Sequence, residues 1–101
     1  MSQTRLDELN MLVSEAIHAA ENDMHEMSGH QRAAYRRVSE IEAEIAELIP
    51  VDLLEGAVAR MGAVRAAVNA GDMARASELV EKYVAAGISD TLKNALRALL
   101  S

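Results

Sequence analysis

The sequence predicts an all-α fold: a long N-terminal coiled-coil-like helix, or a helical hairpin turning at Gly29, followed by a small three-helix unit. Three features point to it. Apolar residues recur at heptad spacing from Leu6 to Leu48, the lone proline Pro50 splits the chain, and glycine or aspartate punctuates the second half at helix-length intervals.

The arm comes first, over residues 1–50. With heptad position a at Gln3, Asn10, Ile17, Met24, Gln31, Val38 and Ile45, position d falls at Leu6, Val13, Ala20, Met27, Ala34, Ile41 and Leu48. Every d residue is apolar, as the seam of a left-handed coiled coil or helical hairpin requires. Asn10 and Gln31 at a cost stability but can fix register and partner number. A continuous helix from Thr4 to Ile49 would measure roughly 65–70 Å at about 1.5 Å per residue. Ser28-Gly29-His30-Gln31 holds a helix breaker and capping-box spacing, so a hairpin is the alternative. The heptad phase crosses Gly29 without a skip, which favours the continuous helix. Arg32, Arg36 and Arg37 stand between two acidic stretches. Folding about Gly29 sets Arg32 against Glu26, and Arg36 and Arg37 against Glu21 and Asp23. An antiparallel dimer makes the same pairs between chains, the two forms being related by a swap.

Residues 51–101 read as three helices. Asp52 and Glu55 match a capping box, ahead of a stripe of Leu54, Val58, Met61, Val64 and Val68. Gly56, Ala59, Gly62, Ala63, Ala66 and Ala67 make the other sides of that helix small, so neighbours can approach closely. Gly71-Asp72 ends it and caps the next, whose stripe is Met73, Ala76, Leu79, Val80 and Tyr83. Gly87 suits the position just past a helix end. Ser89 or Asp90 then caps a last helix carrying Leu92, Ala95, Leu96, Leu99 and Leu100.

Gly71-Asp72-Met73-Ala74-Arg75-Ala76, with Val80 four residues on, resembles the turn and second helix of a tetratricopeptide-type hairpin over residues 57–86. Arg60 and Val64 stand where that family carries a large aromatic and a glycine, and no second copy follows at its 34-residue period. The resemblance implies one antiparallel helix pair, a frequent partner-binding surface.

Composition narrows the function. The 101 residues are half hydrophobic but include no Phe or Trp and two Tyr, Tyr35 and Tyr83. Small apolar side chains bury little area each, and self-association is a common remedy in a chain this short. No cysteine is present, which excludes disulfides and thiolate chemistry. Met1 to Leu9 lacks a signal-peptide pattern and no apolar run can span a bilayer, so the cytoplasm is the expected location. Residues 1–50 hold ten of the sixteen acids and four of the ten Lys and Arg, and so all of the net charge of −6. That surface repels nucleic-acid phosphates.

The one cluster suggesting chemistry is Glu15, His18, Glu21, Asn22, His25, Glu26 and His30. Glu15 and His18 have the Glu-x-x-His spacing of di-iron bundles, and Glu21 and His25 sit one turn apart. A single such motif is half of what a bundle needs. His18 and His25 fall at outward b positions, so surface histidines are the preferred reading and no cofactor is expected. Met24 and Met27 on the seam, and Met61 and Met73 on later stripes, read as adaptable core fillers. No phosphate loop or nucleophile–base pair is visible.

The expectation is a non-enzymatic interaction module: an adaptor, assembly factor or small regulatory subunit. It would act as a homodimer through antiparallel arms, burying Ile17, Ala20, Met24, Met27, Ala34, Val38 and Ile41. Its further partner would be another protein, with no nucleic acid and no membrane. The alternatives are a metal-binding bundle using Glu15, His18 and His25 from two chains, and an acidic inhibitor imitating nucleic acid.

Overall fold

The computed structural model describes residues 3–22 and 29–101, with the side chains of residues 3, 4, 16, 18–22, 29 and 30 outside the description. Among the described residues the chain forms five helices and no strand: α1 (Gln3–Asn22), α2 (Gly29–Glu47), α3 (Leu54–Asn69), α4 (Met73–Ala85) and α5 (Asp90–Leu99). The arm is two helices, and α1 packs against α2. Its greatest extent of 38 Å has no room for the continuous helix. Folding back covers the apolar ridge within one chain, and closing a short connection costs little entropy. Arg5 at the start of α1 pairs with Glu44 near the end of α2, which makes the pair antiparallel.

α2 is the central element. Val38, Ile41 and Ile45 are buried as the heptad predicts, but Ser39 and Ala46, one position further round, are buried as well. A helix covered on two sides needs small residues on the second side, and α3 occupies it. Ser39 Oγ donates to the Ala63 carbonyl at 2.7 Å and accepts from Arg75 Nε at 3.0 Å. Glu42 lies beside Gly62, and Ile49 beside Gly56. Rising numbers on α2 meet falling numbers on α3, so these helices are antiparallel along their whole length. On α1 the buried residues are Leu9 and Val13, while Asn10, assigned to the seam, faces outward.

The predicted stripe of α3 holds in part: Val64 is buried and Met61 and Val68 are half-buried against the core, but Leu54 and Val58 face outward. Its buried side is Gly56, Ala59, Arg60, Ala63, Val64, Ala66 and Ala67, whereas Leu54 and Val58 are 77 % and 62 % exposed. Small side chains on three sides let α2, α4 and α5 all approach, which outweighs the burial available to one leucine and one valine. The expected capping box does not form: Leu53 is the N-cap and makes no side-chain cap hydrogen bond.

Later boundaries follow the sequence. Gly71 has φ +76°, and the Asp72 carboxylate accepts from the Arg75 amide at 3.0 Å. Gly87 has φ +90°, and the Ser89 hydroxyl accepts from the Leu92 amide at 3.1 Å. α4 contributes Ala76, Leu79, Val80 and Tyr83 to the core, and α5 contributes Leu92 and Leu96.

Arg60 ties three helices together. Its side chain is buried, and Nη2 donates to the carbonyls of Ala46 and Ile49, both at 3.1 Å. The guanidinium carbon lies 5.7 Å from the centre of the Tyr83 ring. The carbonyl end of α2 carries partial negative charge and the ring face is electron-rich, so a buried cation finds compensation without a carboxylate. Gly56 makes room for it: a Cβ there would meet Arg60 Nη1 at 2.5 Å and the Pro50 carbonyl at 2.8 Å.

Two outcomes are expected. Gly56→Ala costs about 1–3 kcal/mol through overpacking, seen as a lower Tm in thermal unfolding followed by circular dichroism. Tyr83 gives the second. Its phenol is pushed up from 10.0 to about 12, by burial first and then by the field of Glu47. Between those values the unfolded chain loses a proton that the folded chain keeps, so stability is complete below about pH 10 and falls as pH rises further. Tyr83→Phe flattens that alkaline fall in urea titrations. It has little effect at neutral pH, because the buried hydroxyl has no hydrogen-bond partner among the described residues.

Candidate protein-docking groove

α1 and α3 flank α2 on opposite sides and, among the described residues, do not approach each other. The face of α2 between them is left as the floor of a groove. Two cavities of about 330 and 340 Å³ lie along it. The first is lined by Leu6 and Asn10 of α1, by Glu42 and Ile45 of α2 with Ile49 just beyond its end, and by Leu54, Glu55, Val58 and Ala59 of α3. The second is lined by Ile17 of α1, by Tyr35, Val38 and Glu42 of α2, and by Val58, Gly62, Arg65, Ala66 and Asn69 of α3. Glu42 and Val58 belong to both, so the two are halves of one groove.

The walls are open and mix apolar Leu6, Ile17, Leu54 and Val58 with polar Asn10, Glu55, Arg65 and Asn69. Ile17 is 39 % exposed, and Leu53, at the α3 end, is 47 % exposed and extends the patch around the rim. Glu42 lies in the floor. It is half-buried beside Gly62, makes no ion pair among the described residues, and burial holds its carboxyl above the ordinary value. Arg65 and Glu55, on the α3 wall, are exposed and also make no ion pair there.

The residues singled out from the sequence scatter relative to this groove. Val38 and Ile41 are buried in the chain's own core, Ala34 is half-buried, and Ile17 forms part of the groove wall. The side chains of Ala20, Met24 and Met27 lie outside the described residues. Glu15 is exposed on α1, and the side chains of His18, Glu21 and His25 likewise lie outside the described residues. Among the described residues no group of three His, Cys, Asp or Glu is placed to hold a metal ion. Arg32, Arg36 and Arg37 are exposed on α2; their expected acidic partners Glu21, Asp23 and Glu26 lie outside the described residues. Sequence reasoning missed Glu42, Leu54 and Val58 as groove residues. The available signal was the uninterrupted small side of α3, which marks the side a neighbour must occupy and leaves Leu54 and Val58 for the other.

Comparison with protein-family models, curated proteins and solved structures finds no match for this chain. Within residues 57–86, α3 and α4 pack against each other, with Arg60 over the Tyr83 ring. No helix among the described residues is long and apolar enough to cross a membrane.

Glu42 yields a stability test. Its folded carboxyl titrates above its unfolded one, so the penalty for charging it in the fold is absent at low pH and grows as pH rises through the folded value. Glu42→Gln is therefore expected to raise the urea midpoint at neutral pH, with the gain disappearing below the ordinary carboxylate range.

Proposed function

We propose that this chain is a non-enzymatic protein–protein interaction module, an adaptor, assembly factor or small regulatory subunit, that docks an apolar helical surface in the groove between α1 and α3. One observation carries the reading: a groove of two adjoining cavities with Leu54 and Val58 exposed on its wall. Exposed apolar side chains gathered along a concave surface support a docking role. Its shape suits an amphipathic helix, whose residues at i, i+3 and i+4 would fill the two cavities in succession. Chemistry has little foothold there, because among the described groove residues one half-buried carboxyl stands without a nucleophile or a general-base partner.

With α1 and α2 packed against each other, we place the docking surface in the groove and not along the arm. A photo-reactive residue at Val58 in the full chain, expressed in its native cells, tests the reading. The expected result is a discrete crosslink to a defined protein that is lost when Leu54→Asp is added. The same probe at Glu78, on exposed α4 surface, is expected to give none. Equal labelling from both positions would remove the groove from consideration.

A further inference from the structure

We propose that the occupant of the groove is a second copy of this chain, with the two α3 helices antiparallel across a two-fold axis and each copy's Arg65 set against the other's Glu55 and Glu42. This rests on the groove being a docking surface and goes on to name what docks.

A two-fold interface needs a patch complementary to itself. The outer side of α3 carries Leu54, Val58, Arg65 and Asn69, all exposed, and between them the half-buried Met61 and Gly62, which also touch the chain's own core and Glu42. Their spacings are four, three, one, three and four residues, the same read from either end. An antiparallel pairing centred between Met61 and Gly62 therefore sets every residue of one copy against a residue of the other. Met61 and Gly62 flank the axis, with the Glu42 carboxyl of the same chain lying over Gly62. Val58 meets the second copy's Arg65, and Leu54 its Asn69.

Charge selects the antiparallel orientation. Glu55 stands near the start of α3 and Arg65 near its end, about 15 Å apart at 1.5 Å per residue. Parallel helices would set like charges together. Antiparallel helices bring each Arg65 over the second copy's Val58, one turn from its Glu55 and next to its Glu42, since Val58 and Glu42 line the same cavities. None of Glu42, Glu55 and Arg65 makes an ion pair within the chain among the described residues. Each copy thus brings an unused cation to a floor that holds an unused, partly desolvated carboxylate, and the aliphatic stem of Arg65 covers the apolar wall beside it.

Sedimentation equilibrium of the full chain over a wide concentration range tests this, with circular dichroism confirming that each variant is folded; Arg65, Glu55 and Glu78 are exposed and Met61 is half-buried. The expected wild-type species is a dimer. Arg65→Glu and Glu55→Arg are each expected to weaken self-association about tenfold or more, because like charges then face each other. Mixed together, the two variants are expected to pair with each other, since both opposed positions become complementary. The chain has no cysteine, so Met61→Cys gives an independent reading: mild oxidation links copies at the axis, while Glu78→Cys does not. A wild-type monomer at every concentration overturns the proposal, as does a dimer indifferent to both charge variants and to Met61→Cys. If Val58 crosslinks only a different protein while the pure chain stays monomeric, the groove remains a docking site and the second copy is ruled out as its occupant.

Discussion

A guanidinium buried without a carboxylate would ordinarily be among the costliest groups a small protein could hold, and here the arrangement of helices is built around one. Arg60 spans the junction where α2 ends, Pro50 turns the chain and α3 begins. Its Nη2 reaches the carbonyl of Ala46, in the last turn of α2, which also accepts from the Ile49 amide, and the carbonyl of Ile49 just beyond it. The partial negative charge of that helix end and the face of Tyr83 offset the cation. Nε and Nη1 have no hydrogen-bond partner among the described residues, so the compensation is electrostatic more than a matter of hydrogen-bond count. Arginine does this where lysine would not, because a planar, weakly hydrated cation can bond along its edge while its face lies near a ring. Gly56 is part of the same constraint, since any side chain there would occupy the space of the guanidinium.

Fixing α3 at the end of α2 in this way decides what the rest of the chain can cover. α3 takes one flank of α2 and α1 takes the other, and the molecule is a slab only 16 Å in its shortest extent. A slab of five short helices has too few elements to close over both faces of its central helix. On the side between α1 and α3, Tyr35 and Glu42 stay half-buried at the bottom of a groove, while Val38 and Ile45 beneath are covered. Glu42 in that floor is desolvated enough to raise its titration and makes no ion pair among the described residues.

Much of the fold was legible because it is local. Gly71 with Asp72, and Gly87 with Ser89, place helix ends through backbone conformation and side-chain caps, which depend on a few neighbouring residues. The heptad ridge found Val38, Ile41 and Ile45 correctly. It could not say whether that ridge would be met by another chain or by α1, because the same contacts serve both. Nor could a single-seam pattern reveal that α2 is covered on a second side, where Ser39 and Ala46 are buried. On α3 the stripe of larger residues misled in part, since close approach of three neighbours favoured the small side and turned Leu54 and Val58 outward. The candidate groove was correspondingly hard to read: of its residues, only Ile17 and Val38 were assigned to an interface from the sequence, and Val38 serves the core as well.

What the sequence determined by itself is the helical class, the breaks at Pro50, Gly71 and Gly87, the caps at Asp72 and Ser89, and the absence of cysteine chemistry. These follow from backbone preferences and composition, which act over one or two turns of chain. The tertiary structure alone decided that the arm folds on itself, that Arg60 is a buried tie and not a solvated charge, and that the apolar surface left uncovered lies between α1 and α3. Those outcomes depend on which helix faces compete for the same neighbours, and that competition is settled by shape and distance between residues far apart in the chain.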